Sequence, residues 1–409
     1  MDPAGGPGVP RYTLITLVGL LLAFGANHWF GTRLHRRGAF WLFLGLAVLA
    51  TAVFDNAIFR LPVVLFRRSS TLGVTLPFMP LEDVGFGVAM ATFAVVFWEW
   101  LGQRATAPQA RPAQGVAAAL LRSSRPISWP NTFFVYAAGL LVAGWHLDLS
   151  AVAGLVYFTL PYNLLLYGVN DVCDYASDVR NPRKNSVEGG LLPPALHRPL
   201  WTAVLATNLP FWALWIALAP AGANLVLLAL VALALAYSHP PARWKTVPFL
   251  DGIVSASHFV LPLICALAVE GLSPAHWPWA DIVAFTLWGM ASQAFGAIQD
   301  VDFDRQAADR SVATAIGGRA TAIYALGLYL LAFALVAAGG HGPWHWVAAG
   351  LLLAYPLNVG SFLAFPPGRG GGDGHGGFAR FLWINLAVGF VYTFGFLFVY
   401  HPFGGVFGR

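Results

Sequence analysis

Residues 149–178 read LSAVAGLVYFTLPYNLLLYGVNDVCDYASD, an apolar run that closes on Asn170, Asp171, Asp174 and Asp178. A helix that crosses a bilayer needs about 20 apolar residues, and 149–169 has that length before the first carboxylate appears. If the helix continues through the acids, Asp171, Asp174 and Asp178 stand at i, i+3 and i+7, one above another on a single face. Three like charges stacked in this way repel one another unless something positive sits between them. Carboxylate oxygens are hard ligands that suit Mg²⁺, an ion that keeps several waters and bridges one or two carboxylates to substrate phosphates. Arg180, Arg183 and Lys184 follow at once, and could hold phosphate charge that a metal leaves uncompensated.

The rest of the chain puts this run in a membrane. Of 409 residues, 58% are hydrophobic and 10% charged, with a mean hydropathy of +0.66. A soluble domain carries roughly 25% charged residues, so these charges cannot cover a globular surface, and a peripheral or singly anchored protein is excluded. Runs of spanning length occur near 13–31, 39–59, 84–102, 127–145, 149–169, 199–219, 221–237, 249–270, 280–299, 319–338, 344–365 and 379–400, which predicts an all-α integral membrane protein of about twelve transmembrane helices. The opening ten residues have no basic n-region, so the first run reads as a retained span and not a cleaved signal.

Alternating spans with a cytoplasmic 103–126 linker place 18 of the 23 Lys and Arg on the cytoplasmic side and both termini outside, as the positive-inside rule requires. Arg67 and Arg68 are the local conflict. Basic residues spread through short loops in this way indicate no nucleic-acid partner. Cys173 and Cys265 define no disulfide framework. The Ala/Pro/Gln-rich segment 103–126 reads as a linker with one short interfacial helix, dividing a three-span domain (1–102) from a nine-span domain (127–409).

A second acidic cluster, Gln299-Asp300-Val-Asp302-Phe-Asp304-Arg305, closes a later span on the same side, with Asp309 and Arg310 beyond it. Asp300 and Asp304 share a face at i and i+4, while Asp302 points elsewhere. Acids at membrane depth are costly and functional by default. A site between the two clusters would lie at the membrane surface above an apolar cavity, which suits a substrate with a diphosphate head and a hydrocarbon tail.

The stretch NDVCDYASD (170–178) resembles the NDxxDxxxD motif of the UbiA superfamily of intramembrane prenyltransferases, and DVDFD (300–304) resembles its DxxxD motif. Between them, YSHPPARWK (237–245), followed by Leu250-Asp251, resembles the family's YS-x-PP-x-R-x-K segment. The resemblance implies a nine-helix bundle in which Asp171, Asp174, Asp178, Asp300 and Asp304 hold Mg²⁺. Asn170, with Arg180, Lys184, Arg243, Lys245 and Arg310, would bind the diphosphate of a prenyl donor. It further implies ionisation to an allylic cation that a nucleophilic acceptor attacks.

In the N-terminal domain, Phe54-Asp55-Asn56 lies inside the second apolar run, and Pro80-Leu81-Glu82-Asp83 leads into the third. This pattern resembles the small membrane lycopene cyclases, with their D-N pair and P-x-E-E/D motif. It implies that Glu82, Asp83 and Asp55 act as bases or cation stabilisers. One such unit is present where such cyclases use two, so the resemblance also implies a second small cyclase subunit as partner. Fusion of the two resembles enzymes of fifty-carbon carotenoid synthesis, in which dimethylallyl units are added to lycopene and the ends are cyclised. Two alternatives are a UbiA-type enzyme with an aromatic or quinone-precursor acceptor, and a cation-coupled transporter. Transporter sites lie near the midplane, whereas these acids end their spans at one surface.

Overall fold

The computed structural model describes residues 11–60, 70–106, 115–144, 146, 148–179, 191–307, 309–339, 343–364 and 374–399. It is helical throughout apart from one two-stranded ribbon, and its contacts divide it into two compact units, Met1–Pro112 and Ala113–Arg409.

The first unit packs α1 (Arg11–Trp29) and α2 (Gly38–Arg60) against α3 (Leu81–Thr106). Side chains finish the connections where backbone groups would otherwise be orphaned. Asn27 at the end of α1 accepts from Leu34 N (2.9 Å) and Thr32 Oγ1 (2.8 Å). The ribbon of β1 (Thr75–Leu76) and β2 (Met79–Pro80) is pinned by Asn56 of α2, which accepts from Phe78 N at 2.8 Å. β2 runs straight into α3, which sets Glu82 and Asp83 in the first helical turn.

The second unit begins with the short α4 (Val116–Ser123), inside the stretch read as a linker; its Ala119 is buried in the second unit's core. α5 (Trp129–Ala143) has Pro130 in its first turn and ends on Gly144 with φ 109°, the usual proline start and glycine stop. Asp148 caps α6 (Leu149–Tyr157), accepting from Ala151 N at 2.8 Å.

The run quoted at the outset is not one straight helix. It breaks at Phe158-Thr159 ahead of Pro161 and bends by 42°, resuming as α7 (Leu160–Asn163), a π-helical turn (Leu164–Gly168) and α8 (Val169–Cys173). Backbone polar groups freed at membrane depth must find partners inside the protein. Here Thr132 donates to Phe158 O (2.7 Å), Asn163 to Thr159 O (2.7 Å) and Asn208 to Pro161 O (2.9 Å).

α9 (Tyr175–Asp178) is a single turn, followed by α10 (His197–Leu218), α11 (Ala221–Ser238) and α12 (Leu250–Val269). α12 is the most enclosed of the long apolar helices and packs on α5, α11 and α13 (Trp279–Ala297). Small residues let those backbones close in. A Cβ at Gly139 of α5 would stand 2.6 Å from Leu263 O, and one at Gly289 of α13 would stand 2.8 Å from Ala256 Cβ. The chain continues through the short α14 (Val301–Ala307) and α15 (Val312–Ile316) to α16 (Gly318–Gly339), α17 (Pro343–Leu352), α18 (Ala354–Ala364) and α19 (Gly374–Val399).

Among the described residues, six helices are long and apolar enough to cross a membrane, or seven with the bent pair counted as one span. That number is smaller than the twelve apolar runs. Some runs form helices that are short for a crossing, such as the 15-residue α5; α3 carries Glu82, Asp83, Glu99 and Arg104 along its length. This is a multi-pass membrane protein.

Candidate functional site

In the second unit, Asp171, Asp174 and Asp178 are all buried. The single continuous helix expected through them is not observed: α8 stops at Asp174, whose φ of −98° and ψ of 1° leave the helical range, and α9 starts anew. A hydrogen bond from Asp178 N to Asp174 O (2.9 Å) bridges the break. An ideal helix would stack these like charges on one face, and the break falls between Asp171 and Asp178.

The positive charge that these acids require comes from two separate segments, the one before α5 and the one after α11. Arg125 donates to Asp171 Oδ1 at 3.1 Å, with side-chain exposures of 17% and 1%, and its guanidinium lies 4.4 Å from the centre of the Tyr167 ring. Arg243 reaches Asp174 Oδ1 at 3.4 Å, and Lys245 Nζ pairs with Asp174 Oδ2. Asn170 donates to Asp174 Oδ2 (2.7 Å) and to Ser238 Oγ (2.8 Å), tying α8 to the end of α11. Arg243 and Lys245 can reach inward because the 237–245 segment turns sharply after α11, with Arg243 itself at φ 36°.

The second cluster meets the first through Arg243. Its other guanidinium nitrogen pairs with Asp309 Oδ1 at 3.5 Å, and Asp309 N donates to Asp304 O at 2.9 Å. Asp300 and Asp304 are partly buried, while Asp302 is exposed. Ser311 donates to Asp304 Oδ2 at 3.0 Å while capping α15. Asp251, buried in the first turn of α12, accepts from Val312 N at 3.3 Å, which joins α12 to the segment after the second cluster. Arg310 is exposed; Arg180 and Lys184 lie outside the described residues.

Two participants, Arg125 and Asp251, lie outside both aspartate motifs. The available signal for Arg125 was a basic residue just before Pro126 and a span, which any cytoplasmic loop shares.

Among the described residues, no three His, Cys, Asp or Glu side chains close on one point as a preformed metal site. The donor set still fits a hard cation that takes one or two carboxylates and completes its shell with phosphate and water. What the arrangement can do is hold a polyanion between buried carboxylates and the cations that now neutralise them.

In the first unit, Glu82 is buried. It accepts from Thr13 Oγ1 (2.5 Å) and Leu72 N (2.6 Å) through Oε1, while Oε2, like Thr16 Oγ1, is buried with no partner among the described residues. Both residues line a cleft of about 310 Å³ floored by Leu17, Leu81 and Gly85. Asp83 accepts from Tyr12 Oη, and Asp55 on α2 lies near enough to interact electrostatically with Asp83. Asp55, Glu82 and Asp83 are therefore neighbours, with Glu82 Oε2 the unbonded oxygen among the described residues.

Residues 131–367 match the family model described as the UbiA prenyltransferase family. This chain belongs to that family. In addition, residues 10–101 of this UbiA-family protein match a model described as lycopene cyclase. It is 35% identical over 380 residues to the C(50) beta-cyclic carotenoids biosynthesis protein LbtBC of Dietzia sp., covering 85% of this chain and 87% of the relative. A lycopene elongase/hydratase of Corynebacterium glutamicum is 38% identical over 274 residues, 67% of this chain and 94% of that protein. Among solved structures, a UbiA homolog from Archaeoglobus fulgidus bound to DMAPP and Mg²⁺ shares the fold, with a TM-score of 0.54 and 21% identity over 69% of this chain and 99% of that one.

Proposed function

We propose that this UbiA-family protein is a Mg²⁺-dependent lycopene elongase that transfers dimethylallyl units from dimethylallyl diphosphate to lycopene. Its N-terminal unit would serve as one subunit of a fifty-carbon carotenoid cyclase. The observation that carries this reading is the identity to the fifty-carbon carotenoid protein over 85% of the chain, joined to a site whose buried acids are paired with Arg125, Arg243 and Lys245.

The chemistry follows from those residues. The C1–O bond of the donor breaks with its electron pair on the diphosphate, which leaves only if its growing charge is neutralised. Arg125, Arg243 and Lys245 are held over Asp171 and Asp174 and can turn from carboxylate to phosphate oxygens. Asp171, Asp174, Asp178, Asp300 and Asp304 would hold the metal, which when bound supplies Lewis-acid neutralisation of the leaving group. The π electrons of a terminal lycopene alkene then bond to C1 and leave a tertiary cation on the acceptor. In the first unit Glu82 Oε2, unpartnered in its cleft, would remove the proton that ends ring closure.

The same reading has the twelve apolar runs as spans, three in 1–102 and nine in 127–409, with the Asp motifs facing the cytoplasm across the cell membrane. It also includes a second small cyclase subunit as partner.

Purified protein in lipid nanodiscs, given labelled dimethylallyl diphosphate and lycopene, should yield longer labelled carotenoids with Mg²⁺ and none after chelation. Label entering only an aromatic acceptor would overturn the assignment.

A further inference from the structure

The acids and their cations account for the diphosphate end of the proposed reaction but not for its last step, the discharge of the acceptor cation. One buried group on α12 is unused. His258 is 3% exposed, and among the described residues neither Nδ1 nor Nε2 has a hydrogen-bond partner. An unsatisfied polar group in such surroundings costs about 1–3 kcal/mol, so an imidazole kept there without partners is a structural liability that packing alone does not explain.

Its position is specific. His258 follows Asp251 by seven residues, two helical turns and so nearly the same face, about 10 Å further along the axis. Asp251 marks the acidic rim through its bond to Val312 N. The His258 ring packs edge-on against Tyr237, with centroids 5.3 Å apart at 85°, and the next residue, Ser238, accepts from Asn170 of the first motif. The backbone here is held as well. Pro262 has no N–H to give to the carbonyl four residues earlier, which is that of His258, and Tyr162 Oη donates to this oxygen instead at 3.3 Å.

We propose that His258 is the proton acceptor that completes prenyl transfer, an inference that rests on the elongase reading above. Once the acceptor alkene has bonded to C1 of the donor, a C–H bond next to the tertiary cation breaks. Its electron pair forms the new double bond and its proton goes to a ring nitrogen of neutral His258. If a water reaches the cation first, its oxygen forms the C–O bond and His258 takes the water proton, giving a tertiary alcohol. In both cases the imidazolium returns the proton to solvent when product leaves. His258 thereby sets both completion and the ratio of alkene to alcohol.

The test compares wild type with His258→Phe, which keeps the ring volume, His258→Gln, and His258→Ala with and without added imidazole, following elongated carotenoid and its alkene-to-alcohol ratio. Loss of a general base costs about 10²–10⁴-fold, so the expected result is at least a 100-fold drop in product for Phe and Ala. Imidazole should restore part of the rate in the Ala variant, and the product ratio should shift in Gln. Wild-type rate and ratio in folded His258→Phe overturn the inference alone, as does the absence of any imidazole effect. Wild-type protein that elongates no lycopene overturns the functional reading and this inference with it.

Discussion

Arg125→Ala removes one partner of a pair whose carboxylate side chain is 1% exposed and whose guanidinium is 17% exposed, at 3.1 Å. Breaking a buried ion pair from one side costs about 3–5 kcal/mol, because the remaining charge keeps its desolvation penalty with less compensation. Loss of the guanidinium over the Tyr167 ring adds about 0.5–1 kcal/mol. The partial exposure of Arg125 lets some water replace it, so the lower part of that range applies, about 3–4 kcal/mol in all. Asp171→Asn in the Arg125→Ala background removes the carboxylate charge that lost this cation and should recover about 2 kcal/mol, a coupling typical of residues in direct contact. Arg125→Lys keeps the charge but not the planar stacking, and should restore only part. The assay is unfolding of the detergent-solubilised protein followed by intrinsic Trp fluorescence for wild type, both single variants and the double variant. A coupling energy below about 0.5 kcal/mol, the additivity expected of independent sites, would refute the view that Arg125 is the counter-charge of Asp171.

Other parts of the structure make equally direct predictions. Glu82→Gln should abolish ring closure in a lycopene-producing host supplied with a second cyclase subunit while leaving elongated linear carotenoid unchanged; pigment analysis by mass and absorbance reads both, and persistence of rings excludes Glu82 as the base. Ser311→Ala removes both the cap of α15 and the bond to Asp304 Oδ2, and should lower stability by about 1 kcal/mol while weakening donor binding; equal KM for dimethylallyl diphosphate in variant and wild type would count against Asp304 being positioned this way. Gly139→Ala drives a Cβ to 2.6 Å from Leu263 O and Ala266 Cβ and should cost about 1–3 kcal/mol, seen as loss of monodisperse protein on size exclusion, whereas Gly327→Ala, whose Cβ meets nothing within 4 Å, should be tolerated.

The parts of the site that were legible in sequence are those whose chemistry is written within one helical turn or two. Asn170 through Asp178 and Asp300 through Asp304 are local patterns, and so is Arg243 through Lys245, which the structure does bring to Asp174. Arg125 was not legible, because it is 46 residues from the carboxylate it serves and its sequence context is that of any basic loop. The break at Asp174 and the bend before Pro161 were also hidden. Apolar content measures how much chain can enter a membrane, but whether a run stays straight depends on side chains elsewhere, here Thr132 and Asn208, that can receive its freed backbone groups. His258 shows the same limit: in sequence it is a lone histidine in an apolar run, and only packing reveals that no neighbour satisfies its ring.

By itself, then, the sequence determined the solvent of this protein and the chemistry of its parts: 58% hydrophobic residues with 10% charged require a lipid environment, and two aspartate motifs at the ends of apolar runs carry hard carboxylate oxygens. The tertiary structure alone decided which charges meet. Arg243 joins the two clusters by pairing with both Asp174 and Asp309, and Asp251 links α12 to Val312. The reason is physical. Hydrophobic burial sorts residues by type over the length of a helix, whereas the pairing of a buried charge is settled over a few ångströms by which helices pack side by side.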